Sequence, residues 1–141
     1  MKQIKVYIAS PYSKGDIGVN VKTQLDMFET LTNLGFFPIP PLWSHFQHIA
    51  HPKSYEFWCD YTMELMLMCD CVLRLPGESS GADNEVKKAE EMGITVFYSV
   101  DELVEYYAVK VSPCGIKSTG AWCGGCNLHD ECQIWLQHNC R

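Results

Sequence analysis

The sequence has no long hydrophobic run: apolar stretches such as residues 65–68 stop far short of the roughly 18 residues that a membrane-spanning helix needs. It also lacks the basic first segment and apolar core of a secretory leader, so the expectation is a cytoplasmic protein with no membrane partner. Positive charge is scarce. Eleven Lys and Arg against 17 Asp and Glu leave a net charge of −6, which gives no basic field to hold a nucleic-acid backbone and argues against such a partner. A small nucleotide ligand remains open. Internal repeats and low-complexity tracts are absent, which excludes solenoids and linkers.

What is present is a globular composition, 47% hydrophobic over 141 residues, enough for one domain with a real core. Residues 4–9 (IKVYIA), 36–39 (FFPI), 71–75 (CVLRL) and 95–99 (TVFYS) read as short strands. Between them fall helical patterns over 19–34, 54–68, 82–92 and 101–110, the first with Val21, Leu25, Phe28 and Leu31 inward and Gly35 as its stop. Residues 42–52 are a loop or short helix carrying Trp43, His45, His48 and His51. Strands alternating with helices predict an α/β fold, a doubly wound, mostly parallel sheet of flavodoxin or Rossmann type. Ligands of such folds bind beyond the carboxyl ends of the strands, so the loops after residues 9 and 75 are expected to flank the site.

One residue breaks the pattern. On the helix over 82–92, Ala82, Val86, Ala89 and Met92 share an inward arc, and Glu85 falls in the same arc. Two readings stand. A first-turn acid balances the helix dipole; alternatively, an ionised, partly desolvated carboxylate at a crevice attacks the anomeric carbon of a sugar. Ser79, Ser80 and Gly81 ahead of it are small enough for a ribose to come close, and Ser10 and Ser13 serve a phosphate or are plain loop residues. Trp43 and Trp58 are core aromatics or stacking platforms for a base. Met63, Met66 and Met68 read as core, and Glu56, Asp60 and Glu64 as a solvated acidic stripe.

The segments Tyr7-Ile8-Ala9-Ser10-Pro11-Tyr12, Cys69-Asp70-Cys71-Val72-Leu73 and Gly81-Ala82-Asp83-Asn84-Glu85 ahead of Gly93-Ile94-Thr95-Val96 resemble the nucleoside 2-deoxyribosyltransferase superfamily, over about residues 4–107. The resemblance implies that Glu85 is the nucleophile, that Tyr7 and Asn84 position or tune it, and that Ser10, Tyr12, Ser79, Ser80 and Gly81 meet the substrate. It also implies a homo-oligomer whose subunits complete one another's sites. The sequence departs from the family at two places. The aspartate that better-known members carry eight residues before Asp70 is Thr62 here, and the loop aspartate six before Glu85 is Ser79. Asp60 is a weaker substitute for the first, and His45 is a candidate acid by its chemistry. The expected activity is N-glycosidic cleavage of a nucleoside or nucleoside 5′-monophosphate, by hydrolysis or transfer, through a glycosyl-Glu85 intermediate. The alternative is a non-catalytic nucleotide-binding sensor, which the missing aspartate favours.

Eight cysteines divide unevenly. Cys59, Cys69 and Cys71 lie in core-like segments, whereas Cys114, Cys123, Cys126, Cys132 and Cys140 crowd the last 28 residues. With no secretory leader, that crowding reads as metal ligation before disulfides. The spacing Cys114-x8-Cys123-x2-Cys126-x5-Cys132 is similar to the four-cysteine iron–sulfur loop of endonuclease III-type glycosylases, with a first gap of eight where they have six. A structural [4Fe–4S] cluster is the leading expectation and zinc the alternative, with Cys140 or His129 as substitute ligands. The predicted organisation is therefore an α/β domain over 1–110 and a metal-binding tail over 111–141.

Overall fold

The computed structural model describes residues 3–111. Four strands, β1 (Lys5–Ala9), β2 (Phe37–Ile39), β3 (Cys71–Arg74) and β4 (Thr95–Phe97), form one sheet in the order β2-β1-β3-β4. Every pairing among the described residues is parallel, so the sheet is wholly rather than mostly parallel. The helices are α1 (Ile17–Asn33), α2 (Ser44–Ala50), α3 (Tyr55–Leu67), α4 (Ser80–Glu91) and α5 (Val100–Val111), and a single 3₁₀ turn at Pro41–Trp43 precedes α2. Two units divide the chain, Met1–Ser99 and Val100–Arg141, and the sheet lies in the first.

β1 and β3 are buried along nearly their whole length, as a parallel sheet covered on both faces requires. The period of two along β1 sends Tyr7 and Ala9 to one face and Val6 and Ile8 to the other. Tyr7 pairs with Val72 and Ile8 with Leu73, which continues each face onto β3. Tyr7, Ala9 and Val72 pack with Met66 and Cys69 of the α3 end and with Ala82 and Ala89 of α4. Right-handed crossovers put α1, which leads from β1 to β2, on the other face.

Helix ends follow local chemistry. Asp16 caps α1 by accepting from the Val19 amide at 2.9 Å, and Gly35 ends it at φ +86°, where Phe36 N–H reaches Leu31 O and Gly35 N–H reaches Thr32 O. Ser54 caps α3 and Ser79 caps α4. That last cap sets the start of α4 two residues before the expected one, and the helix closes at Glu91. Met92 is thus a C-cap residue, 54% exposed, and does not belong to the inward arc. Met68 is likewise exposed past the end of α3, while Met66 is fully buried.

Candidate functional site

The earlier start of α4 changes the meaning of Glu85. Its first turn holds Asp83, whereas Glu85 is the sixth residue of the helix and lies beyond the free backbone N–H groups. Dipole stabilisation fades within the first turn, so balancing the dipole no longer accounts for this carboxylate.

Glu85 is instead held by side chains. The Tyr7 hydroxyl, on a residue with no exposure at all, rises from β1 and donates to Glu85 Oε1 at 2.6 Å. Thr62 on α3, whose hydroxyl donates to Cys59 O at 3.3 Å, is close enough to act on the charge state of both Glu85 and Tyr7. Burial pushes the Glu85 carboxyl above the usual carboxylate range, while the hydrogen bonds from Tyr7 and Thr62 and the Arg74 guanidinium hold it down from what burial alone would give. Tyr7 is driven well above the ordinary phenol value, first by burial and then by the charge and hydrogen bond of Glu85. The pair is therefore a desolvated carboxylate with a hydroxyl that stays protonated and donating.

Glu85 lines a cavity of about 760 Å³ at the carboxyl ends of β1 and β3, the two neighbouring strands whose chain connections leave in opposite directions. Both expected loops contribute. Ser10, Tyr12 and Ser13 come from the first, and Ser79, Ser80 and Gly81 from the second with the start of α4, where Asn84 also lines the wall. The two loops are fastened to each other. Gly77 sits at φ +115°, and a Cβ there would come within 2.7 Å of Pro11 Cγ, so only glycine permits this approach. Lys14 and Glu78 form an ion pair across the same gap. Arg74, buried at the end of β3, donates to the carbonyls of Leu75 and Gly77 and, at 2.9 Å, to Asp83 Oδ1. It thus anchors the second loop to the helix that carries Glu85.

A second brace shapes the floor. Gln24 of α1 is almost wholly buried and donates to Ile8 O and Ser10 Oγ, while its Oε1 accepts from the Leu42 amide at 2.7 Å. Ser10 and Leu42 both line the cavity, so one buried amide, fully satisfied, fixes two parts of its wall.

The remaining expected residues fall elsewhere. Asp60 is exposed on α3, within the acidic stripe, and does not line the cavity. His45 is half-buried behind the lining, with Tyr12 hydroxyl and His45 Nδ1 hydrogen-bonded at 2.8 Å. Cys114, Cys123, Cys126, Cys132, Cys140 and His129 lie outside the described residues. Among the described residues no group of three or more His, Cys, Asp or Glu side chains is placed to hold a metal, and no helix is long and apolar enough to cross a membrane.

Nothing in the sequence marks Tyr55 as a lining residue, and it points to His48, Cys59 and Thr62 without a place at the cavity, which all four line. Trp58, weighed beforehand as a stacking platform, also lines the cavity, whereas Trp43 packs on Phe28. Cys59 behaves differently from Cys69 and Cys71. It sits one helical turn from Tyr55, whose hydroxyl is pushed above its ordinary value chiefly by this neighbouring thiol. Cys69 is pushed up to about 11, first by burial and then by the charge of Asp70, as an inert core thiol should be. The signal that was available for Thr62 was its spacing from Asp70; for His48 no spacing rule existed.

No protein-family model matches this chain, and no curated protein does. Among solved structures, a 2-deoxyribosyltransferase from the psychrotolerant bacterium Bacillus psychrosaccharolyticus is similar at a TM-score of 0.49 and 20% identity, over 65% of this chain and 69% of that one.

Proposed function

We propose that the protein cleaves the N-glycosidic bond of a nucleoside or nucleoside 5′-monophosphate, by hydrolysis or by transfer to a second base. The observation that carries this reading is Glu85, on the wall of a cavity large enough for a nucleoside and accepting at 2.6 Å from the hydroxyl of the fully buried Tyr7. Glu85 Oε forms a bond to C1′ as the C1′–N bond breaks and the electron pair leaves with the base. Water or an incoming base then displaces Glu85 from C1′ and regenerates the carboxylate. Tyr7 orients the attacking oxygen. Ser10, Ser13 and Lys14 at the first loop suit a 5′-phosphate, and Asn84 flanks the nucleophile. The test is chromatographic detection of free base from ribo- and deoxyribonucleosides and their monophosphates, with and without an acceptor base. Release from one class supports the reading, and no release from any overturns it.

One observation favours a second reading, a nucleotide-binding sensor without turnover. Among the described residues lining the cavity, Glu78 and Glu85 are the only carboxylates, and Glu78 is spent on Lys14. Thr62, where the resembled family carries an aspartate, cannot deliver a proton to a departing base. Ligand binding with no base release would select this reading.

For the tail, we infer a structural [4Fe–4S] cluster on Cys114, Cys123, Cys126 and Cys132, on the chemistry of four thiolates at short spacing, with zinc as the alternative. Iron, sulfide and zinc analysis of anaerobically purified protein distinguishes them. A homo-oligomer is part of the same proposal, and light scattering tests it.

A further inference from the structure

We propose that His48 is the residue that selects the base, through an Nε2–H donor whose tautomer is set by the fold. This rests on the cavity being a nucleoside site, and it names which bases that site accepts.

His48 of α2 lines the cavity. Its Nδ1 accepts from the Trp58 indole N–H at 2.8 Å and from the Lys53 backbone N–H at 3.2 Å. Both partners are donors that have no acceptor role to play. Nδ1 must therefore present its lone pair, and the proton of the neutral ring sits on Nε2. A proton on Nδ1 would face two N–H groups. The ring is also fixed in angle, with the Trp58 indole set edge-on at 67° and 6.0 Å between centroids. Among the described residues Nε2–H has no hydrogen-bond partner, so His48, in contact with Trp58, brings an oriented donor to a cavity that Trp58, Leu42 and Met63 also line.

A donor held this way discriminates. It accepts a base that offers a carbonyl oxygen or an unprotonated ring nitrogen, and it opposes one that offers an N–H or C–H at the same place, because the imidazole cannot turn over without breaking two hydrogen bonds. It also stabilises charge on a departing base by hydrogen bonding without giving up its proton, a role that suits a site where Thr62 replaces the family's acid.

The test is calorimetric binding to the Glu85→Ala protein, which removes turnover. Adenosine, inosine, cytidine and uridine, their 2′-deoxy forms and the corresponding 5′-monophosphates are titrated first. Each that binds is then compared with analogues lacking one acceptor: the 1-, 3- and 7-deazapurines, and pyrimidines without an exocyclic carbonyl. The expected result is that removing one particular acceptor weakens binding roughly tenfold or more. The same removal should cost nothing in a His48→Phe background, and His48→Gln, which keeps an N–H near Nε2, should restore part of the discrimination. Binding with no acceptor dependence, or with the same dependence in His48→Phe, overturns the role of His48 and leaves the nucleoside reading standing. No binding of any nucleoside or nucleoside monophosphate overturns both. Should His48→Phe fail to fold, as circular dichroism would reveal, the comparison between wild-type His48 and His48→Gln decides. Equal acceptor dependence with a shifted preferred acceptor supports the proposal, and none in either overturns it.

Discussion

Two hollows of similar size share Pro41, Ser44, Lys53 and Trp58 in their linings. The one at the strand ends, about 760 Å³, is lined by braced loops and by a desolvated carboxylate that accepts from a buried tyrosine. The other, about 880 Å³ beside the edge strand β2, is lined by Phe28, Phe37, Trp43, Phe57 and Tyr61, and Lys53 is its only charged side chain among the described residues. Volume therefore does not mark the site. What does is a polar group kept out of water at a cost that the fold makes up elsewhere.

The sharpest break of that comparison is Glu85→Gln, which should abolish base release by roughly 10³-fold or more while the fold persists. The same variant has a second, opposite consequence. Because folding raises the Glu85 pKa, the native state favours the protonated carboxyl, and stability is lost as pH rises through the interval between the unfolded and folded values. Glu85→Gln should therefore raise Tm at pH 7 and leave it unchanged at pH 4, measured by thermal denaturation at both pH values. A lower Tm at pH 7 would mean that the carboxylate supports the fold.

Tyr7→Phe should cost roughly 10²-fold in turnover by removing the 2.6 Å donor. It also removes one influence that holds the Glu85 carboxyl down, so the acidic limb of the pH–rate profile should move to higher pH. A limb that stays in place or moves down would separate Tyr7 from the charge state of Glu85.

Gly77→Ala tests the bracing of the loops. A side chain at φ +115° and a Cβ 2.7 Å from Pro11 Cγ should cost about 1–3 kcal/mol, read as a fall in Tm of several degrees. The smallest effects belong to the other hollow and the exposed pair. Phe37→Ser, at a residue 47% exposed, should leave base release unchanged, and Lys14→Ala should change Tm by no measurable amount because both partners of its ion pair are solvated. A loss of turnover in Phe37→Ser would merge the two hollows into one site.

Much of the fold was legible in advance, because short β-branched strands and helices with identifiable stops are local statements. Gly35 ended α1 as its position foretold, and the parallel sheet followed from the alternation of elements. Local reasoning failed first at α4, where Ser79 rather than Gly81 marks the boundary. Two residues of error made Glu85 look like a first-turn acid, and a cap depends on where the chain can turn away from Pro11.

The sequence by itself determined the alternation of strands and helices, the inward placement of Glu85 and the two loops that meet at the strand ends, since each follows from local composition, a period of 3.6 or chain order. Only the tertiary structure decided that Tyr7 lies 78 residues away yet hydrogen-bonded to Glu85, that Thr62 joins them while Asp60 faces solvent, and that His48 rather than His45 reaches the cavity. Periodicity says which way a side chain points from its own element, and the position of the neighbouring element decides what it meets.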